Sequence, residues 1–311
     1  MQRSLLATLA YFDLFDYPLT LAELLRFRYR SPSEVSGAPC SAADVLAALE
    51  GPEFGTKDGF WHLAGRDAVV GIRQRRFRLA EPKFARARRV ARFLRTLPSV
   101  RLAAVCNSLA LANADEESDI DMFVVTAPGT VWATRFIVTA ALAALGLRPD
   151  RHSHADKVCM SFFVTENGQD LSRYALAPDD TYLLYWMATL VPLYDAGGAF
   201  GRFMAENAWV SRRLPGAVAP AGRAIGTGAP FWTRPLLPLM AAVEGPLRRL
   251  QTRMFPQEIS AMANRDSRVV ITDDVLKFHV NDRRAEYERR FKERLAALEL
   301  RREPAPEMVT V

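Results

Sequence analysis

The stretch Val105–Thr126, VCNSLALANADEESDIDMFVVT, constrains this chain more than any other part of it. It joins one apolar run, Val100 to Cys106, to a second, Ile120 to Thr126. Between them lie a tight turn bearing Asn107 and Ser108, a small-residue segment and an acidic loop. Apolar runs of this length bounded by turn chemistry read as strands. Side chains alternate along a strand, so Asp119 and Asp121 project from one face. Aspartate is disfavoured in strands, and two on one face repel each other unless a cation lies between them. The pair makes an oxygen-rich, negative site that suits Mg²⁺, with Mn²⁺ as second choice, and that ion completes its shell with water and substrate phosphates. The preceding turn can aim backbone N–H groups and the Ser108 hydroxyl at those phosphates.

At 311 residues, half of them hydrophobic and about a quarter charged, the chain has room for two or three globular domains. The N-terminus lacks the apolar core of a signal peptide. The longest apolar stretches, Phe136–Leu147 and Pro235–Val243, fall short of the roughly 18 residues that a membrane span needs, so no span is expected. Cys40, Cys106 and Cys159 are scattered and form no CxxC pair, which argues against a zinc site or a disulfide framework. A cytoplasmic location is expected. The net charge of +6 is concentrated in Arg73–Arg95, where Glu81 is the only acid.

Along residues 1–70, an amphipathic helix over 4–15 that Ser4 can cap is followed by two more helices, at 21–27 and after Ser41. Thr20/Glu23 and Ser41/Asp44 have capping-box spacing. Lys57-Asp58-Gly59 before an aromatic strand signals a hairpin. The spacing predicts a winged helix-turn-helix over 1–70 and a basic linker helix within 71–98, its apolar stripe running from Glu81 to Leu97. An α/β core over 99–175 and a helical region over 176–311 are expected to follow. In the core, a helix over 128–147 precedes a third strand, Val158–Thr165. In the C-terminal region the helices are placed at 181–194, 206–213, 235–254 with a kink at Gly245-Pro246, and 282–302. Loops fill 31–39 and 215–230.

The order Asn-Ser, about ten residues, then Asp-x-Asp opening a strand resembles the nucleotidyltransferase superfamily that includes DNA polymerase beta and the small bacterial nucleotidyltransferases. The resemblance is specific over Val105–Thr126 and extends plausibly from Val100 to Thr165. It implies an α+β fold with a small mixed sheet flanked by helices. It implies that Asp119 and Asp121 bind the metal, that Asn107, Ser108 and Ser118 contact the nucleotide, and that a third carboxylate activates the attacking hydroxyl. Asn107 stands where the family has glycine, and asparagine tolerates the left-handed backbone such a turn needs. The third strand carries no carboxylate; Asp156 just before it is a better candidate than Glu166 just after it. The implied reaction is Mg²⁺-dependent transfer of a nucleoside monophosphate from an NTP to an unidentified hydroxyl acceptor, with release of pyrophosphate. The alternative is a catalytically degenerate relative that binds nucleotide or a partner as a regulator.

Other signals read more plainly. Asp115, Glu116 and Glu117 are solvated loop residues, and His152 and His154 lie in a loop without a third ligand. Tyr182, Tyr185 and Trp186 read as core rather than as a base-stacking platform. Arg73–Arg95 offers a nucleic-acid surface, but a solvated face is as good a reading. The third helix, from Ser41 to Glu50, carries no lysine or arginine, which argues against base reading in a major groove.

Overall fold

The computed structural model describes residues 1–30, 40–150, 153–217, 224 and 230–300. The expected loops at 31–39 and 215–230, His152 and the end of the last helix lie wholly or partly outside these residues.

The first 63 residues run α1 (Gln2–Asp13), β1 (Leu19–Thr20), α2 (Leu21–Phe27), α3 (Ala42–Ala48), β2 (Phe54–Lys57) and β3 (Phe60–Leu63). Both expected capping boxes form, Thr20 with Glu23 and Ser41 with Asp44. Asp58 and Gly59 both take positive φ (52° and 79°), the backbone of a tight hairpin turn, and the three strands pair antiparallel in the order β1-β3-β2. Ser4 does not cap α1. It is buried one turn inside the helix and its hydroxyl donates to the Tyr29 carbonyl.

A single 27-residue helix, α4 (Ala68–Leu94), follows. The apolar stripe begins at Glu81, but the helix begins more than three turns earlier and runs through Pro82. Tertiary anchors hold its first half: Arg73 forms a two-pronged pair with Glu23 at 2.8 Å over the Tyr17 ring, and Arg76 donates to the Phe15 carbonyl at 2.9 Å.

The remaining elements are β4 (Val100–Val105), α5 (Asn107–Ala110), β5 (Ile120–Thr126), α6 (Val131–Ala144), β6 (Val158–Thr165), α7 (Thr181–Thr189), β7 (Val191–Asp195), α8 (Ala199–Glu206) and α9 (Trp209–Arg213). They continue with α10 (Leu236–Ala242), α11 (Glu244–Met254), α12 (Gln257–Met262), β8 (Val269–Ile271), β9 (Val275–Phe278) and α13 (Arg284–Leu300). The architecture is α+β, with one six-stranded mixed sheet in the order β7-β4-β5-β6-β9-β8, in which only β5 and β6 run parallel. Three expectations give way here. The helix expected over 181–194 stops at Thr189, because Val191–Asp195 pairs with β4 as an edge strand, where Pro192 is tolerated. The helical segment over 206–213 is the short α9, with α8 lying before it. The break expected at Gly245-Pro246 falls at Val243, so that Pro246 sits in the first turn of α11, where its missing N–H costs nothing.

Alternation divides the sheet's side chains between two cores. Ala103, Val105, Met122, Val124 and Phe163 face α4 and α6. Leu102, Ala104, Phe123, Val125, Phe162 and Val164 face a second layer that contains α1, α7, α8 and α13. That second core is continuous with the N-terminal helices: Tyr11 stacks on Tyr185 at 4.2 Å, and the Tyr185 hydroxyl donates to the Phe27 carbonyl at 3.0 Å. Among the described residues no helix is long and apolar enough to cross a membrane.

Phe123 is fully buried where Phe162, Trp186 and Phe203 meet, with ring centroids 5.1–5.4 Å away. Phe123→Ala should therefore lower the unfolding free energy by about 3–5 kcal/mol. Urea unfolding checks this; a loss under about 1 kcal/mol would mean that this cluster is not the shared core.

Candidate functional site

At the C-terminal end of β4 the chain turns sharply. Cys106 is extended, and Asn107 takes φ 55°, the left-handed conformation that asparagine adopts at modest cost. This places the Asn107 side chain at a junction. Its Nδ2 donates to Asp121 Oδ2 at 2.7 Å, and its Oδ1 accepts from Trp186 Nε1 at 2.9 Å. The asparagine thus orients one of the two key carboxylates.

Asp119 and Asp121 continue the row of Phe123 and Val125, so they face the α7 and α13 layer. Cys159 lies opposite Asp121 in the parallel β5–β6 pair. Between the pairs Asp121↔Cys159 and Phe123↔Phe162, β5 advances two residues and β6 three. This β-bulge lets Cys159 and Phe162 share a face that strict alternation would deny them. One ligand atom from each of Asp119, Asp121 and Cys159 falls within 4.8 Å of the others, a spacing that can hold a metal ion.

These three residues line a cavity of about 560 Å³. Its far wall comes from β9 and the start of α13, with Lys277, His279, Asp282 and Arg284; Tyr182 and Trp186 of α7 and Tyr287 of α13 complete it. Arg284 bridges Asp180 at 2.7 Å and Asp282 at 2.8 Å, and Lys277 reaches Asp282 at 3.3 Å, all nearly buried. Burial and the neighbouring Arg284 push the Lys277 amine down to about 8. Burial, with Lys277 beside it, lowers His279 to about 3, so this imidazole is neutral; its Nε2 lies 3.2 Å from the Ser161 hydroxyl.

The two carboxylates lack such compensation. Burial raises the pKa of Asp119, against its own backbone N–H, His154 and Lys83. Burial, together with the charge of Asp119, pushes Asp121 up to about 7, against the Asn107 hydrogen bond. A divalent cation would relieve both effects, so the residues present fit one.

The remaining sequence candidates lie elsewhere. Asp156, expected as the third carboxylate, faces α4: its Oδ1 accepts from the nearly buried Lys83 at 2.9 Å, and it is not part of the cavity wall. Ser118 closes a turn, its hydroxyl donating to Asp115 Oδ1 at 2.7 Å and its carbonyl accepting from Lys83 at 2.7 Å. Ser108 is exposed and opens onto a second cavity of about 230 Å³. His154 does line the main cavity, while Tyr182 and Trp186 serve both core and cavity wall, and Tyr185 is wholly buried. Sequence reading missed Cys159, Lys277, His279, Asp282 and Arg284. The run VLKFHV carries a strand signal that would have placed Lys277 and His279 on one element.

No family model, curated protein or solved structure matches the chain.

The raised Asp121 pKa has a direct consequence for stability. Below about pH 4 the carboxyl is protonated in both the folded and the unfolded chain. As the pH rises towards 7, the unfolded chain releases this proton first, so the native state loses stability and carries the full cost above 7. In the absence of metal, Asp121→Asn should be about 2–4 kcal/mol more stable than wild type at pH 8.5, and nearly equal to it at pH 4. Urea titrations at the two pH values check this; a difference that does not depend on pH would contradict it.

Proposed function

We propose that this chain is a Mg²⁺-dependent nucleotidyltransferase that moves a nucleoside monophosphate from an NTP to a hydroxyl acceptor. The observation that carries the reading is the pair Asp119 and Asp121, side by side at the start of β5 with Cys159 within 4.8 Å, in a cavity large enough for a whole nucleotide. In support, the β4–turn–β5 unit carries Asn-Ser and Asp-x-Asp at the spacing of that superfamily's Gly-Ser and Asp-x-Asp, and the neighbouring strand runs parallel to β5. The order α1-β1-α2-α3-β2-β3 likewise supports a winged-helix reading of the N-terminal module. Its third helix presents Asp44 and no basic residue, so base-specific DNA reading is not proposed.

Asp119 and Asp121 would hold the cation, with Cys159 as a third, softer neighbour. Bound there, a divalent ion supplies charge stabilisation to the transferring phosphoryl group. In the transfer the acceptor oxygen bonds to the α-phosphorus, the bond from that phosphorus to the bridging oxygen breaks, and pyrophosphate leaves with the electron pair. The hydroxyl proton needs an acceptor on the cavity wall. Asp156 is engaged by Lys83 and His279 is too weak a base, so we assign the role to His154, whose ring lines the cavity beside Asp119 and Asp121. Asn107 holds one Asp121 oxygen in place.

A second reading, a nucleotide-binding regulator without turnover, is favoured by one observation: Cys159 occupies the place on β6 where a third carboxylate would be useful.

Calorimetric titration of each NTP, with and without Mg²⁺, tests the common premise. Binding should require the metal and vanish in Asp119→Ala/Asp121→Ala; metal-independent binding would sink the transferase, and no binding would sink both readings. Labelled-nucleotide transfer then separates them. For the transferase, His154→Ala should lower kcat about 10²-fold or more while leaving NTP affinity within about threefold. Unchanged turnover would remove His154 from the reaction.

A further inference from the structure

The second cavity, about 230 Å³, lies between α1, α5, α7 and α13. Tyr11 and Phe12 line it from α1 and Phe15 from the turn that follows, Ser108 and Leu111 from α5 and the loop after it, and Thr189 from the end of α7. It shares Asn107, Tyr182, Trp186 and Tyr287 with the main cavity, so these four side chains form a partition between the two spaces. The Tyr182 and Tyr287 rings in that partition are nearly parallel, 9° apart with centroids at 5.4 Å.

The two spaces differ in charge. The main cavity carries Asp119, Asp121, Lys277, Asp282, Arg283 and Arg284, whereas among the described residues no ionised side chain lines the second. A phosphate or carboxylate entering the second cavity would lose its hydration without gaining a cation, and is therefore excluded from it. A flat uncharged ring would instead gain aromatic contact on several sides. Polar groups are sparse and suited to one hydroxyl. The Ser108 hydroxyl is exposed and makes no hydrogen bond within the described residues, and Thr189 Oγ1, which donates to the Tyr185 carbonyl at 2.8 Å, keeps its acceptor capacity. A substituent crossing the partition arrives beside Asn107, whose amide is already bonded to Asp121.

We infer that the second cavity is the acceptor subsite, and that the acceptor is a small uncharged aromatic hydroxyl compound, a phenol or an aromatic alcohol. The word acceptor rests on the transfer reaction proposed above; the ring site itself rests on the cavity. On this assignment the N-terminal module is a substrate-binding part, because α1 and the turn after it provide Tyr11, Phe12 and Phe15. The nucleotide keeps to the charged space and the acceptor's ring to the uncharged one, with the reacting hydroxyl crossing the partition beside Asn107, so both are held at once.

The test uses the full-length chain, with phenol as the probe and benzoate as its charged control, followed by saturation-transfer NMR. Phenol should bind and benzoate should not. Saturating Mg²⁺ and ATP, whose own binding is followed by calorimetry, should leave phenol affinity within about twofold. Leu111→Trp, which fills the cavity, should weaken phenol at least about tenfold while sparing Mg²⁺-dependent ATP binding. Ser108→Ala, at an exposed position that leaves the fold intact, should weaken it by about three- to tenfold. Displacement of phenol by ATP would overturn the inference, because the nucleotide's own base would then fill the space. Phenol binding untouched by both variants would overturn it by locating the ring elsewhere. No phenol binding in a protein that does bind Mg²⁺ and ATP would overturn the subsite and leave the proposed function standing. Phenol binding with no ATP binding would overturn the acceptor role by removing the reaction.

Discussion

Two carboxylates held side by side at the start of a strand and largely out of water are the constraint around which the central part of this molecule is organised. Asp119 and Asp121 cannot both stay charged cheaply in such a place. The surroundings soften the conflict without resolving it. Asn107 donates to Asp121, and the bulge in β6 brings the Cys159 thiol next to it. The positive side chains on the far wall, Lys277 and Arg284, are neutralised by Asp282 and Asp180 rather than by the pair. This is the electrostatic setting on which the cation site proposed above rests.

The basic helix and the N-terminal module look at first like nucleic-acid machinery, and their contacts give them another use. Arg73 is consumed by Glu23 and Tyr17, Arg76 by the Phe15 carbonyl and Asn113, and Lys83 and Arg86 by Asp156 and the loop before β5. Long side chains on α4 therefore pin the N-terminal helices on one side and the acidic loop on the other. Arg75, Arg78, Arg88, Arg89 and Arg92 remain exposed. Because α1 packs on α13 and sets Tyr11 and Phe12 against Tyr185 of α7, the module shares the main hydrophobic core and brings aromatic side chains to the cavity next to the carboxylate site.

What the sequence alone determined is local. The capping boxes at Thr20 and Ser41, the Asp58-Gly59 hairpin, the β4–turn–β5 unit and the shared face of Asp119 and Asp121 all follow from spacing within about ten residues, where backbone periodicity and turn chemistry act. Tertiary structure decided the rest, because the partners are far apart in the chain. Val191–Asp195 became a strand through the free edge of β4, overriding a helical pattern. Asp156 was drawn to Lys83, 73 residues away, although its position beside β6 suited it to the carboxylate site. Cys159 joined that site through a bulge that strict alternation conceals, and His279, Lys277 and Asp282 arrived on a strand and loop whose place beside β6 no local pattern records. Periodicity fixes which way a side chain points along its own element; only packing between distant elements fixes what it points at.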